Sequence, residues 1–135
     1  MKANELMIGV WVTSKKWREK PFRLTRINDG GKYYYGITAE GSQVGPFLIE
    51  ELEPIPLTAE ILEKNGFGFT RNDNTGSVWN GWWIYKGLEL ATACLDKEGN
   101  WPCFINIYDS NIKCEYVHQL QHALRLCGIE KEIEL

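Results

Sequence analysis

Tyr116-Val-His-Gln-Leu-Gln-His-Ala-Leu-Arg-Leu-Cys-Gly128 decides how the rest of the chain is read. At about 100° per residue, Tyr116, Val117, Leu120, Ala123, Leu124 and Cys127 share one helical face. His118, Gln121, His122 and Arg125 share the other, which this spacing assigns to water. Gly128 stands where a left-handed C′ residue ends a helix, and Ile129 is placed to close back on Leu124. A helix apolar along one stripe calls for a sheet to cover.

The strands for that sheet lie upstream. Ile112 to Glu115 feeds the helix, and Trp101-Pro-Cys-Phe-Ile-Asn-Ile-Tyr108 precedes it across the turn Asp109-Ser-Asn111. Val78 to Tyr85 and Leu88 to Leu95 are separated only by Lys86-Gly87, which predicts a tight hairpin. Asn72 to Gly76 and Asp96 to Asn100 are turns, and Phe67 to Thr70 opens the meander. Before it, Thr58 caps a helix over Ala59-Glu-Ile-Leu-Glu-Lys64, Leu57 and Leu62 are placed for a hydrophobic staple, and Asn65-Gly66 ends the helix. Lys131 to Leu135 reads as a last edge strand.

Glu53-Pro-Ile-Pro56 divides the chain, because two prolines in four residues exclude helix and interior strand. On its N-terminal side four short strands are predicted: Leu6 to Val12, Phe22 to Ile27, Lys32 to Thr38 and Pro46 to Leu52. Tight turns between them imply a small SH3-like β-barrel. The expected fold class is therefore α+β. Residues 1–53 form the SH3-like module, and residues 54–135 form helix, antiparallel meander and a C-terminal helix packed on the sheet.

The chain has 135 residues, 44% hydrophobic and 24% charged, enough apolar content to fill a core without disulfides or metal. No apolar run reaches the ~18 residues of a membrane span, and the opening residues lack a signal-peptide core. A cytoplasmic setting with reduced cysteines is the expectation. The net charge of −3 is unevenly spread: residues 1–40 carry eight Lys/Arg against four acids, and the remainder carries seven against fourteen. Lys15, Lys16, Arg18, Lys20 and Arg23 crowd one segment, as a contact surface for an acidic partner or as one solvated hairpin.

Three signatures are spread along the chain: Met1-Lys-Ala-Asn-Glu-Leu6 with Ile8-Gly9, then Glu53-Pro-Ile-Pro-Leu-Thr58 with Asn65-Gly66-Phe67, then Tyr116-Val-His-Gln-Leu-Gln121. Together they resemble a family of short uncharacterised proteins common in Bacteroidales genomes, their prophages and mobile elements. The resemblance implies a bacterial, cytoplasmic, accessory protein and brings no catalytic residues with it. Lys15 to Lys20 and Trp79 to Trp83 fall outside the shared pattern.

Candidate chemistry is sparse. His118 and His122 are one helical turn apart, and His-Gln-Leu-Gln-His echoes the zinc-protease motif. Gln119 cannot act as the general base that motif requires, there is no third histidine, and Arg125 would repel a cation. Cys94, Cys103, Cys114 and Cys127 are separated by 8, 10 and 12 residues, without a Cys-x-x-Cys pair, and read as small core hydrophobes. No catalytic residue, metal site or cofactor is assigned, and the chain is read as leaning away from enzyme function. Binding candidates are Trp11, Lys15, Lys16, Trp17, Arg18, Arg23, Tyr34 and Trp82, where cations and large rings offer contact surface or, for the rings, core. A protein partner is favoured, nucleic acid is the alternative, and a membrane partner is not expected.

Overall fold

In a computed structural model, the backbone is described for residues 6–73, 79–93, 103–107 and 110–135, and side chains within these except 18, 19, 79, 80, 93, 103–107 and 110–112. Most of the turn expected over Asn72–Gly76, the turn over Asp96–Asn100, Cys94, and the side chains of Trp79, Cys103 and Arg18 lie outside the described residues. The fold is α+β, with antiparallel strands in two sheets and two helices. Two compact units result: residues 1–56 with Tyr116–His118, and residues 57–115 with 119–135.

The first unit contains β1 (Trp11–Ser14), β2 (Trp17–Asn28), β3 (Tyr33–Thr38), β4 (Gln43–Phe47) and β5 (Leu52–Pro54), in the order β4-β3-β2-β1-β5. Alternation decides the faces. Val12, Phe22, Leu24, Tyr34 and Phe47 point inward and join Leu6, Val10 and Leu52 in one cluster. Burying each such side chain contributes about 1.5–3 kcal/mol, and Phe22 stacks on Phe47 with ring centroids 4.9 Å apart. A 3-10 turn at Ile49–Glu51 turns the chain into β5, which pairs antiparallel with β1.

Local backbone chemistry moves several of the expected boundaries. Gly9, at φ 93°, turns the chain before β1, so Leu6 and Val10 are buried as alternation predicts while Ile8 is 51% exposed. The strand expected over Pro46 to Leu52 is instead the end of β4, the 3-10 turn and the start of β5. Pro46 and Pro54 both sit in edge strands, where a missing N–H costs no ladder bond. No pairing joins β4 to β5 among the described residues, so this sheet is not a closed barrel.

The second unit holds α1 (Ala59–Lys64) and a five-stranded meander: β6 (Gly68–Arg71), β7 (Trp79–Tyr85), β8 (Leu88–Ala93), β9 (Cys103–Ile107) and β10 (Ser110–Cys114). Lys86 and Gly87, at φ 44° and 85°, make the two-residue turn between β7 and β8. The helix α1 starts as its sequence predicts, with the Thr58 hydroxyl accepting from the Ile61 N–H at 3.2 Å. It ends with Phe67 N–H donating to Leu62 O at 3.0 Å across Gly66 at φ 84°, the Schellman arrangement.

Residues Lys131–Leu135 are not the expected strand. A side chain replaces the ladder: Asn65 Nδ2 donates to Glu134 O and Asn65 Oδ1 accepts from Glu134 N–H, each at 2.7 Å. Lys64 Nζ donates to Leu135 O, and Ile133 is buried.

The last helix, α2 (Val117–Leu126), runs through both units. Its C-terminus closes as expected, with Ile129 N–H on Leu124 O at 2.9 Å and Gly128 at φ 69°. Its faces differ from expectation. His118 is 2% exposed and Gln121 8%, so both are buried together with Val117, Leu120, Ala123 and Leu124, whereas Cys127 is exposed. A helical wheel gives angles between side chains but not how much of the circumference is covered, and here more than one stripe is.

Candidate binding surface

The first unit's sheet has an outer face, and the strand registers show what stands on it. With Phe22, Leu24 and Tyr34 inward, Arg23, Tyr33, Tyr35 and Ile37 point outward. Trp11 pairs with Arg23, Arg23 with Ile37, and Arg26 with Tyr35 across the strands. A bulge between Leu24 and Arg26 resets the alternation, so Arg26 shares the face of Tyr35.

Cations lie over rings along this face. The Arg26 guanidinium is 4.1 Å from the Tyr35 ring centroid, Lys32 Nζ is 5.3 Å from that of Tyr33, and the Arg23 guanidinium is 5.9 Å from Trp11. The Arg26–Tyr35 approach is the shortest of these, and in the second unit Lys86 and Lys131 lie 5.6 and 5.9 Å from the Tyr85 ring. Arg26 and Lys32 are exposed and form no salt bridge among the described residues.

Lys15 and Lys16 form the two-residue link between β1 and β2, next to Trp17, which is 42% exposed. The link is held by its backbone: Lys15 N–H donates to Glu51 O at 2.9 Å and Lys16 N–H to Ser14 Oγ at 3.1 Å. Lys16 Nζ also meets Glu51 Oε1 at 3.0 Å, pairing an exposed ammonium with a carboxylate whose side chain is 19% exposed. Beside this region, a hydrogen bond from its own backbone N–H holds the Glu40 carboxyl below the usual carboxylate range. The Thr38 hydroxyl and the Lys20 charge act in the same direction.

The structure gathers some of the candidates named from sequence and disperses others. Lys15, Lys16 and Trp17 meet at the β1–β2 link, and Trp11 stands opposite Arg23 but is only 8% exposed, so its ring is buried rather than a contact surface. Tyr34 is 1% exposed, so its ring is core. Trp82 belongs to β7 of the second unit, paired with Thr70 and Ala91. Lys32 is the residue that the sequence reading missed, and of Tyr33, Tyr34 and Tyr35 it singled out the one ring that is buried. Strand parity was the available signal, because an inward Tyr34 forces both neighbours outward.

Elsewhere, His118 stacks on Tyr116 with centroids 5.8 Å apart and planes at 12°. No group of three or more His, Cys, Asp or Glu able to hold a metal occurs among the described residues. None of the helices there is long and apolar enough to cross a membrane. Comparison with protein-family models, with curated proteins and with solved structures finds no match.

Proposed function

We propose that this is a non-enzymatic binding protein whose first unit is an SH3-like module. The strand order β4-β3-β2-β1-β5 supports the module, since a 3-10 turn returns the chain to the far side of β1. The observation that carries the binding reading is that exposed Arg26 and Lys32 lie over the half-buried rings of Tyr35 and Tyr33 on the outer sheet face. A cation held over a ring is oriented without being neutralised, so it presents positive charge beside flat apolar surface. Such a surface fits a ligand that is both anionic and rich in planar or apolar groups. The resemblance to proteins of Bacteroidales and their mobile elements supports an accessory, cytoplasmic role.

Retention on phosphocellulose tests this reading. A protein of net charge −3 is held only if its positive charge is local. Changing Lys15, Lys16 and Arg26 together to Glu is expected to abolish retention at low salt. The charge-matched change of Arg71, Lys86 and Lys113, all in the second unit, is expected to leave most of it. Equal loss in both variants would show that only total charge matters and would refute the proposal.

A further inference from the structure

We infer that the ligand of this face is single-stranded nucleic acid, with Tyr33 and Tyr35 stacking bases while Arg26, Lys32, Lys15 and Lys16 contact phosphates. This rests on the binding reading above and adds the chemistry of the ligand. Three observations favour nucleic acid over an acidic protein. Tyr33 and Tyr35 stand two residues apart on one strand, on the same outward face and half-buried, so their rings are held yet accessible. Arg26 lies close over Tyr35 and is itself exposed, so its guanidinium extends the ring with a second plane on which a base can stack. Lys32 lies beside Tyr33, and Lys15–Lys16 lie at the other end of β2 beside exposed Trp17; all three are lysines, whose flexible point charges suit phosphates along an extended strand. An acidic peptide would use the charges and leave the π surfaces idle. A duplex would bury its bases away from them, whereas an unpaired strand uses both.

The test is fluorescence anisotropy of the full chain with a labelled oligothymidylate of about 12 nucleotides, beside a polyglutamate peptide of equal charge. Salt is varied between about 50 and 200 mM. With four cations on phosphates, log affinity is expected to fall with log salt at a slope of about −3. The Lys32→Gln change is expected to make that slope shallower by about 0.7. Tyr35→Ala or Tyr33→Ala is expected to weaken oligonucleotide binding about 5- to 150-fold without changing the slope. Arg26→Lys, which keeps the charge and loses the plane, is expected to leave the slope and weaken binding.

If the peptide binds as tightly as the oligonucleotide and the tyrosine variants bind both unchanged, the nucleic-acid inference falls and the binding reading survives. If neither ligand binds at the lowest salt, both fall. Should the tyrosine variants lose their near-ultraviolet circular dichroism, the exposed positions decide. Wild-type affinity and slope in both Arg26→Lys and Lys32→Gln would overturn the inference.

Discussion

The two helices end alike and are buried differently. At the C-terminus of α1, Gly66 at φ 84° closes a Schellman turn with Phe67 on Leu62, and at the C-terminus of α2, Gly128 at φ 69° does so with Ile129 on Leu124. Along its length, α1 buries Leu62 and exposes its charges, as an amphipathic surface helix does. The longer α2 buries His118 and Gln121 beside its apolar stripe. Capping depends on residues within one turn of the terminus, whereas burial depends on whatever packs nearby from distant sequence.

The sharpest way to break this contrast is a charge at position 118. If His118 faced water, His118→Glu would cost next to nothing. In a site 2% exposed, a buried carboxylate is expected to destabilise by about 3–5 kcal/mol, read as a large fall in the urea midpoint. His122→Glu, at a half-buried position, is expected to cost clearly less. Equal, small effects would restore the two-faced helix that the wheel describes.

Asn65 separates the two termini next. It caps α1 with Nδ2 on Ile61 O at 2.7 Å and also holds Glu134 by both main-chain groups. Asn65→Ala removes all three bonds and is expected to cost about 2–3 kcal/mol. Faster amide exchange at Glu134 is expected to accompany it, and unchanged protection there would mean that buried Ile133 and the Lys64–Leu135 bond suffice to seat the segment.

These sites also mark what the sequence made legible. Thr58, Asn65-Gly66, Lys86-Gly87 and Gly128 each act within a few residues, and the caps and the hairpin formed where expected. The return of β5 to β1 and the docking of Glu134 on Asn65 span long stretches of chain, and no local pattern encodes them. The outer sheet face lay between these cases. Its parity was readable from Phe22, Leu24 and Tyr34, but the bulge that brings Arg26 over Tyr35 was not, because a bulge shifts register without leaving a composition signal.

Gly66→Ala and Gly128→Ala ask whether the matching ends are matched in energy. A Cβ at Gly66 would meet Tyr85 at 3.5 Å, ordinary contact, and one at Gly128 would meet nothing within 4 Å. Backbone strain is then the whole effect, about 1–2 kcal/mol at each site by chemical denaturation. A much larger loss at one end would show that its turn carries tertiary structure as well.

The smallest expected differences lie at the N-termini, where the two helices diverge. In α1 the Thr58 hydroxyl accepts from Ile61 N–H at 3.2 Å. In α2 the residue preceding Val117 is Tyr116, and Gln119 Oε1 reaches back to Glu115 N–H at 2.7 Å. This resembles half of a capping box, set one residue early. Thr58→Ala is expected to cost about 1 kcal/mol, because a helix of six residues has few bonds with which to absorb a lost cap. Gln119→Ala is expected to cost about half that, because its bond is exposed and the buried side chains of α2 hold that helix in place. Amide exchange at Ile61 and Glu115 reads each cap separately. A larger effect at Gln119 than at Thr58 would mean that α2 depends on its first turn more than on its packing, reversing the contrast between the helices.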